Sequence, residues 1–173
     1  MEFFNVLTQT NFNTGSFSKK RNISKMIVGN SGYSFALKYS PNEYQTLLSD
    51  ENFYNFLIEL SIKQLLMSNW KFIQLTSFAK DLKIELVDCE LIDDDIGNYL
   101  QEEDFDFSLF LQLVSEYDFR ISKLFFRTTN QYMIVIMNNG VIGLDEEILD
   151  REYEIIAQLL DFLSYGKVIV HEK

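Results

Sequence analysis

The residues with most chemical potential in this 173-residue chain are carboxylates. Asp93, Asp94 and Asp95 are consecutive, and Glu102, Glu103, Asp104 and Asp106 follow within eleven positions. Oxygen-rich groups of this kind suit two tasks. They hold hard cations such as Mg²⁺ or Ca²⁺, or they pair with Lys and Arg of a partner. The first task needs a defined spacing. An EF-hand wants acids at alternate positions, a central Gly and a closing Glu, and neither Gly97 nor Glu102 falls at the required offset. No metal or cofactor is therefore expected. Tyr99 and Phe105 lie among these acids, and aromatics flanked by charges are the usual anchors of a protein interface.

Other candidates for chemistry are weaker. Cys89 is the single cysteine and stands between Asp88 and Glu90, whose charges disfavour a thiolate. His171 is the single histidine and lies beside Glu172 near the end of the sequence, without partners for a zinc site or a general base. Asn22-Ile23-Ser24 matches the glycosylation pattern, but no secretory signal accompanies it. There is no Walker-type loop, no G-x-G-x-x-G, no G-x-S-x-G and no H-E-x-x-H. No catalytic residue is assigned on these grounds.

Charge is unevenly distributed. The net charge is −11, yet residues 1–80 carry eight Lys/Arg and five Asp/Glu, whereas residues 81–173 carry seven and 21. Between Lys83 and Arg120 there are twelve acids and no basic residue. Carboxylates this dense repel one another by about 1 kcal/mol per pair at ~4 Å in bulk water. A cationic partner relieves that repulsion; a solvated face that aids solubility is the plainer alternative. The small cluster Lys19-Lys20-Arg21 with Lys25 does not outweigh the overall charge, so nucleic acid is not expected as a partner.

The elements that must carry these residues read as follows. Phe3 to Leu7 is a short strand, and the rest of residues 1–24 is polar and expected to be partly flexible. Lys25–Val28 and Tyr33–Tyr39 are strands about a turn at Gly29-Asn30-Ser31-Gly32. Ser40, Pro41 and Glu43 form a capping box. Asp50 caps a longer helix expected to run to about Ser68, with Phe53, Phe56, Leu57, Leu60, Ile62, Leu65 and Leu66 covering the broad face of a central helix. Trp70 to Phe78 is compatible with helix or strand. Leu82 to Ile92 alternates as a strand and changes phase after Leu86, which marks a bulge. Asp106 to Glu116 has helical spacing at Phe107, Phe110, Leu111 and Val114. Strands at Ile121–Thr128, Gln131–Met137 and Val141–Leu144 form a meander, with Asn139-Gly140 expected to make a type I′ turn. Asp145 should cap a continuous helix through Leu163 that ends at Gly166, followed by a strand at Lys167–Val170.

These readings describe one α+β domain over 1–173, an antiparallel sheet packed against amphipathic helices. A lone cysteine, no signal peptide and no run of ~20 apolar residues fit a cytoplasmic protein without a membrane span. The expected role is a non-enzymatic acidic module of the inhibitor, immunity or antitoxin type. It would bind a basic protein such as a toxin or nuclease through Asp93, Asp94, Asp95, Tyr99, Glu102, Glu103, Asp104, Phe105 and Asp106. The rival readings are a structural or viral assembly protein that self-associates through its charge asymmetry, and a Mg²⁺-dependent enzyme.

Overall fold

Three consecutive strands rich in apolar residues in the C-terminal third frame the architecture. A computed structural model describes residues 1–8, 26–38, 40, 45, 49–59, 61–92, 116 and 120–166. Among them are eight strands: β1 (Glu2–Thr8), β2 (Met26–Val28), β3 (Ser34–Lys38), β4 (Lys63–Gln64), β5 (Ile84–Leu91), β6 (Ile121–Thr128), β7 (Met133–Met137) and β8 (Val141–Leu144). The helices are α1 (Glu51–Glu59), α2 (Asn69–Phe78), α3 (Ile148–Arg151) and α4 (Tyr153–Tyr165).

All strands join one open antiparallel sheet in the order β2-β3-β1-β8-β7-β6-β5, with β4 paired to β1 off that path. The fold is therefore α+β, as the sequence implies. β1 lies between a hairpin (β2–β3) and a meander (β6–β7–β8), pairing Asn5 with Leu37 on one side and with Val141 on the other.

Each face is covered by different helices. Phe4 and Val6 of β1, Leu124 and Phe126 of β6, Ile134 and Ile136 of β7, and Ile142 and Leu144 of β8 share one cluster with Phe72 and Leu75 of α2 and Ile156, Leu159 and Leu160 of α4. The stripe in α4 follows the 3.6-residue period. On the other face, Leu7, Phe35 and Leu37 pack with Phe53, Leu57 and Ile62. Asn5 points to this second face, is fully buried, and among the described residues neither its amide oxygen nor its nitrogen has a hydrogen-bond partner.

Four local expectations need correction. The helix opened by Asp50 is real, since its Oδ1 accepts from the Asn52 N–H at 2.9 Å, but it ends at Glu59 and is not a central helix. The Ser61 N–H donates to Ile58 O and the Ile62 N–H to Leu57 O, with Ser61 at φ 52°. This is a Schellman motif closed by contact of buried Leu57 with buried Ile62. Leu65 beyond it is buried in extended chain and Leu66 is two-thirds exposed.

Secondly, the Asn139-Gly140 turn is not type I′. Only Gly140 has positive φ, the Gly140 N–H donates to Met137 O at 3.0 Å, and the loop has three residues. Glycine is required there twice over, because a Cβ would lie 1.8 Å from Leu65 O. Thirdly, Asp145 does not cap a helix with its carboxylate; Oδ2 accepts instead from the Met133 N–H at 2.7 Å. Finally, the C-terminal helix is broken at Glu152 (φ −135°, ψ 34°), a buried residue whose Oε1 accepts from Asn130 Nδ2 at 2.5 Å. Trp70–Phe78 is resolved as helix by its N-cap, Ser68. The capping box at Ser40–Glu43 apart from Ser40, the Asp106–Glu116 helix apart from Glu116, and the Lys167–Val170 strand lie outside the described residues.

Candidate functional site

β5 is where the acidic part of the chain begins. It is an edge strand, paired only with β6 among the described residues. The register slips between Leu86 and Asp88, so Val87 is the extra residue of a bulge, at the phase change read in the sequence. A bulge and a row of exposed acids both discourage another strand from adding to this edge. Glu85, Asp88 and Glu90 are those acids.

Two of them already have a cation of their own chain. Lys123 Nζ lies 2.5 Å from Glu90 Oε2, and Arg127 Nη2 lies 3.4 Å from Glu85 Oε2, both across the β5–β6 register. Such solvent-facing pairs contribute little, about 0–1 kcal/mol. Asp88 Oδ1 accepts from the Cys89 N–H at 2.8 Å. Cys89 itself is buried, and its thiol is pushed up to about 12 by that burial and then by the charges of Asp88 and Glu90. It is a core thiol, not a nucleophile.

The chain then leaves and re-enters the sheet at one place. Leu91 pairs with Ile121, and the Ile92 N–H donates to Arg120 O at 2.8 Å. Asn69 Oδ1, at the start of α2, accepts from the Ile121 N–H at 3.0 Å and fixes the point of return. Between these anchors the 27 residues 93–119 carry nine carboxylates and no Lys or Arg. The interface residues expected from the sequence, Asp93, Asp94, Asp95, Tyr99, Glu102, Glu103, Asp104, Phe105 and Asp106, all belong to this stretch and lie outside the described residues, as does His171. Among the described residues no group of three or more His, Cys, Asp or Glu is placed to hold a metal ion. Comparison with protein-family models, with curated proteins and with solved structures finds no match to this chain.

One polar cluster was not foreseen. Asp161 is completely buried in α4. Its Oδ2 accepts from the Ser31 N–H at 2.8 Å and its Oδ1 from Ser31 Oγ at 2.5 Å, and Ser34 Oγ also donates to Oδ1. Gly29 is needed beside it, because a Cβ would come within 2.4 Å of Asp161 Oδ1. Tyr153 adds a second tie, its hydroxyl accepting from the Val28 N–H at 3.0 Å and donating to Val28 O at 3.1 Å. These bonds fasten the β2–β3 hairpin to α4. In the sequence Asp161 stands within an apolar stripe, and that misplacement was its only signal.

Two clefts adjoin the described sheet. One, of about 350 Å³, lies at the end of α4 and is lined by Lys71, Gln74, Phe162 and Tyr165 among others. Burial lowers the pKa of Lys71, while burial, then the charges of Asp161 and Tyr33, raise that of Tyr165. The other, of about 470 Å³, lies between the start of β5 and the β6–β7 turn.

Proposed function

We propose that the chain is a non-enzymatic acidic protein-binding module of the inhibitor or immunity type, which neutralises a basic partner such as a nuclease or another nucleic-acid-binding protein. The observation that carries this reading is the pinning of residues 93–119 at both ends. Nine carboxylates without an intervening cation are confined to one segment, tethered by the Ile92–Arg120 hydrogen bond at the edge of a packed sheet. A cleft built to bind phosphates presents Lys and Arg, and a concentrated set of carboxylates competes for it with fast, electrostatically steered association. Tyr99 and Phe105 supply the apolar anchors. Reduced Cys89 fits a cytoplasmic setting. No helix among the described residues is long and apolar enough to cross a membrane.

The test is affinity capture from the native cell with graded salt washes. It compares the natural chain with one in which Asp93, Asp94, Asp95, Glu102, Glu103, Asp104 and Asp106 are replaced by their amides. The expected result is a basic protein retained by the natural chain, released by salt and lost with the amide variant. Equal retention by both chains would refute the proposal.

A further inference from the structure

The 470 Å³ cleft gathers cations in a protein of net charge −11. Lys80 and Lys83 line one side of it, and Arg127, Thr128, Thr129 and Gln131 the other, with Ile84 and Glu85 between them. Two turns build it. The turn that follows α2, Ala79 to Ile84, closes as a second Schellman motif, with Lys83 at φ 57° and the Ile84 N–H donating to Ala79 O at 3.0 Å. The β6–β7 loop closes with Gln131 at φ 71° and its N–H on Thr128 O at 2.9 Å. Pairing of Ile84 with Thr128 and Glu85 with Arg127 holds the two turns side by side.

The cations here are poorly compensated. Among the described residues neither Lys80 nor Lys83 has an ion-pair partner. Arg127 reaches Glu85 through Nη2 at 3.4 Å, and among the described residues its solvent-sealed Nε–H has no acceptor.

We propose that this cleft binds the phosphate group of a small phosphorylated molecule. Arg127 offers two parallel N–H donors to two phosphate oxygens, the geometry in which guanidinium exceeds ammonium. Lys80 and Lys83 neutralise the remaining charge, and the exposed Thr129 hydroxyl is a further donor. Glu85 is the acidic group among the described lining residues. Its side chain is 74% exposed, so it swings off the guanidinium when phosphate arrives. The volume suits a ligand larger than phosphate alone, in the range of ~300–1,000 Å³ usual for small-molecule sites. A long polyanion is disfavoured by the overall negative charge. The cleft lies at the start of β5, whereas Ile92 follows its other end, about 20 Å along the strand at ~3.3 Å per residue, and the proposal is independent of the one above.

The test is an NMR titration of the full chain with sodium phosphate and with adenosine 5′-monophosphate, ionic strength held constant with sodium chloride. Saturable shifts confined to amides 80–85 and 127–131, with the monophosphate binding at least as tightly as phosphate, are expected. Arg127→Gln and Lys83→Gln should each weaken binding about ten-fold, as loss of a charge-assisted hydrogen bond implies. Glu85→Gln should tighten it about threefold by removing the competitor. Dispersion of the amide spectrum verifies that each variant is folded. Shifts that chloride alone reproduces, an unchanged affinity in Arg127→Gln and Glu85→Gln, or stronger displacement of the same amides by a synthetic peptide of residues 93–106 would overturn the proposal. The last would make the acidic segment the natural occupant.

Discussion

Asp161 in α4 accepts the Ser31 backbone N–H at 2.8 Å, a bond that spans 130 residues of sequence and joins the first hairpin to the last described helix. The same carboxylate takes the hydroxyls of Ser31 and Ser34. Removing it leaves three donors in a site with no water access to Asp161. Asp161→Ala should therefore cost about 3 kcal/mol, well above the ~1 kcal/mol typical of a point substitution. Urea denaturation measures this. A loss below 1 kcal/mol would show that the network contributes nothing beyond ordinary packing.

The end of α1 offers the opposite sign. Ser61 holds the left-handed position of a Schellman motif that glycine occupies at lower cost. Ser61→Gly should stabilise the chain by about 0.5–1 kcal/mol, read as a rise in the urea midpoint with an unchanged slope. The 138–140 loop, which packs against Gln64 and Leu65, responds the other way. Gly140→Ala forces a methyl against Leu65 O and should lose about 2 kcal/mol or more. Equal midpoints for the two variants would contradict these assignments.

Cys89 gives the pH dependence. Its folded pKa is raised to about 12, above the ordinary thiol value, so the folded state binds the proton more tightly than the unfolded state. The associated stability is complete below pH ~8.5 and declines between there and 12 as pH rises, by up to about 1.4 kcal/mol per pH unit. Alkylation of the native protein at pH 8 should run roughly a thousand-fold slower than of the unfolded chain, following the thiolate fraction. Rapid native labelling at pH 8 would show that the thiol is neither buried nor suppressed.

Much of the framework was legible because short-range signals dictate it. Apolar runs separated by the turns at Thr129-Asn130 and Asn139-Gly140 located β6, β7 and β8, and the phase change after Leu86 located the bulge in β5. Gly166 ends α4 in the left-handed conformation, as its position after an apolar stripe requires. The misreadings share a physical cause. Ser61 and Lys83 take the left-handed position with residues that give no compositional warning. The Asp145 carboxylate answers a backbone donor twelve residues earlier in the meander, and Glu152 breaks a helix in a stretch that contains neither Gly nor Pro. These outcomes depend on partners brought close by the sheet, which local pattern does not encode. The same is true of the cationic cleft. Lys80 and Lys83 are an ordinary pair in the sequence, and only the pairing of β5 with β6 sets Arg127 opposite them. The acidic segment was visible at once as composition, while its tether at Ile92 and Arg120 was not.

The central claim is that the carboxylates of residues 93–106 draw in a cationic protein. The most direct measurement is the association rate constant for the captured partner, followed by stopped flow between about 0.05 and 0.5 M salt, where the screening length falls from roughly 14 Å to 4 Å. The account predicts a decline of about ten-fold or more across that range for the natural chain, with a slow and salt-insensitive rate for the seven-amide variant. Identical rates for the two chains, unmoved by salt, would contradict it.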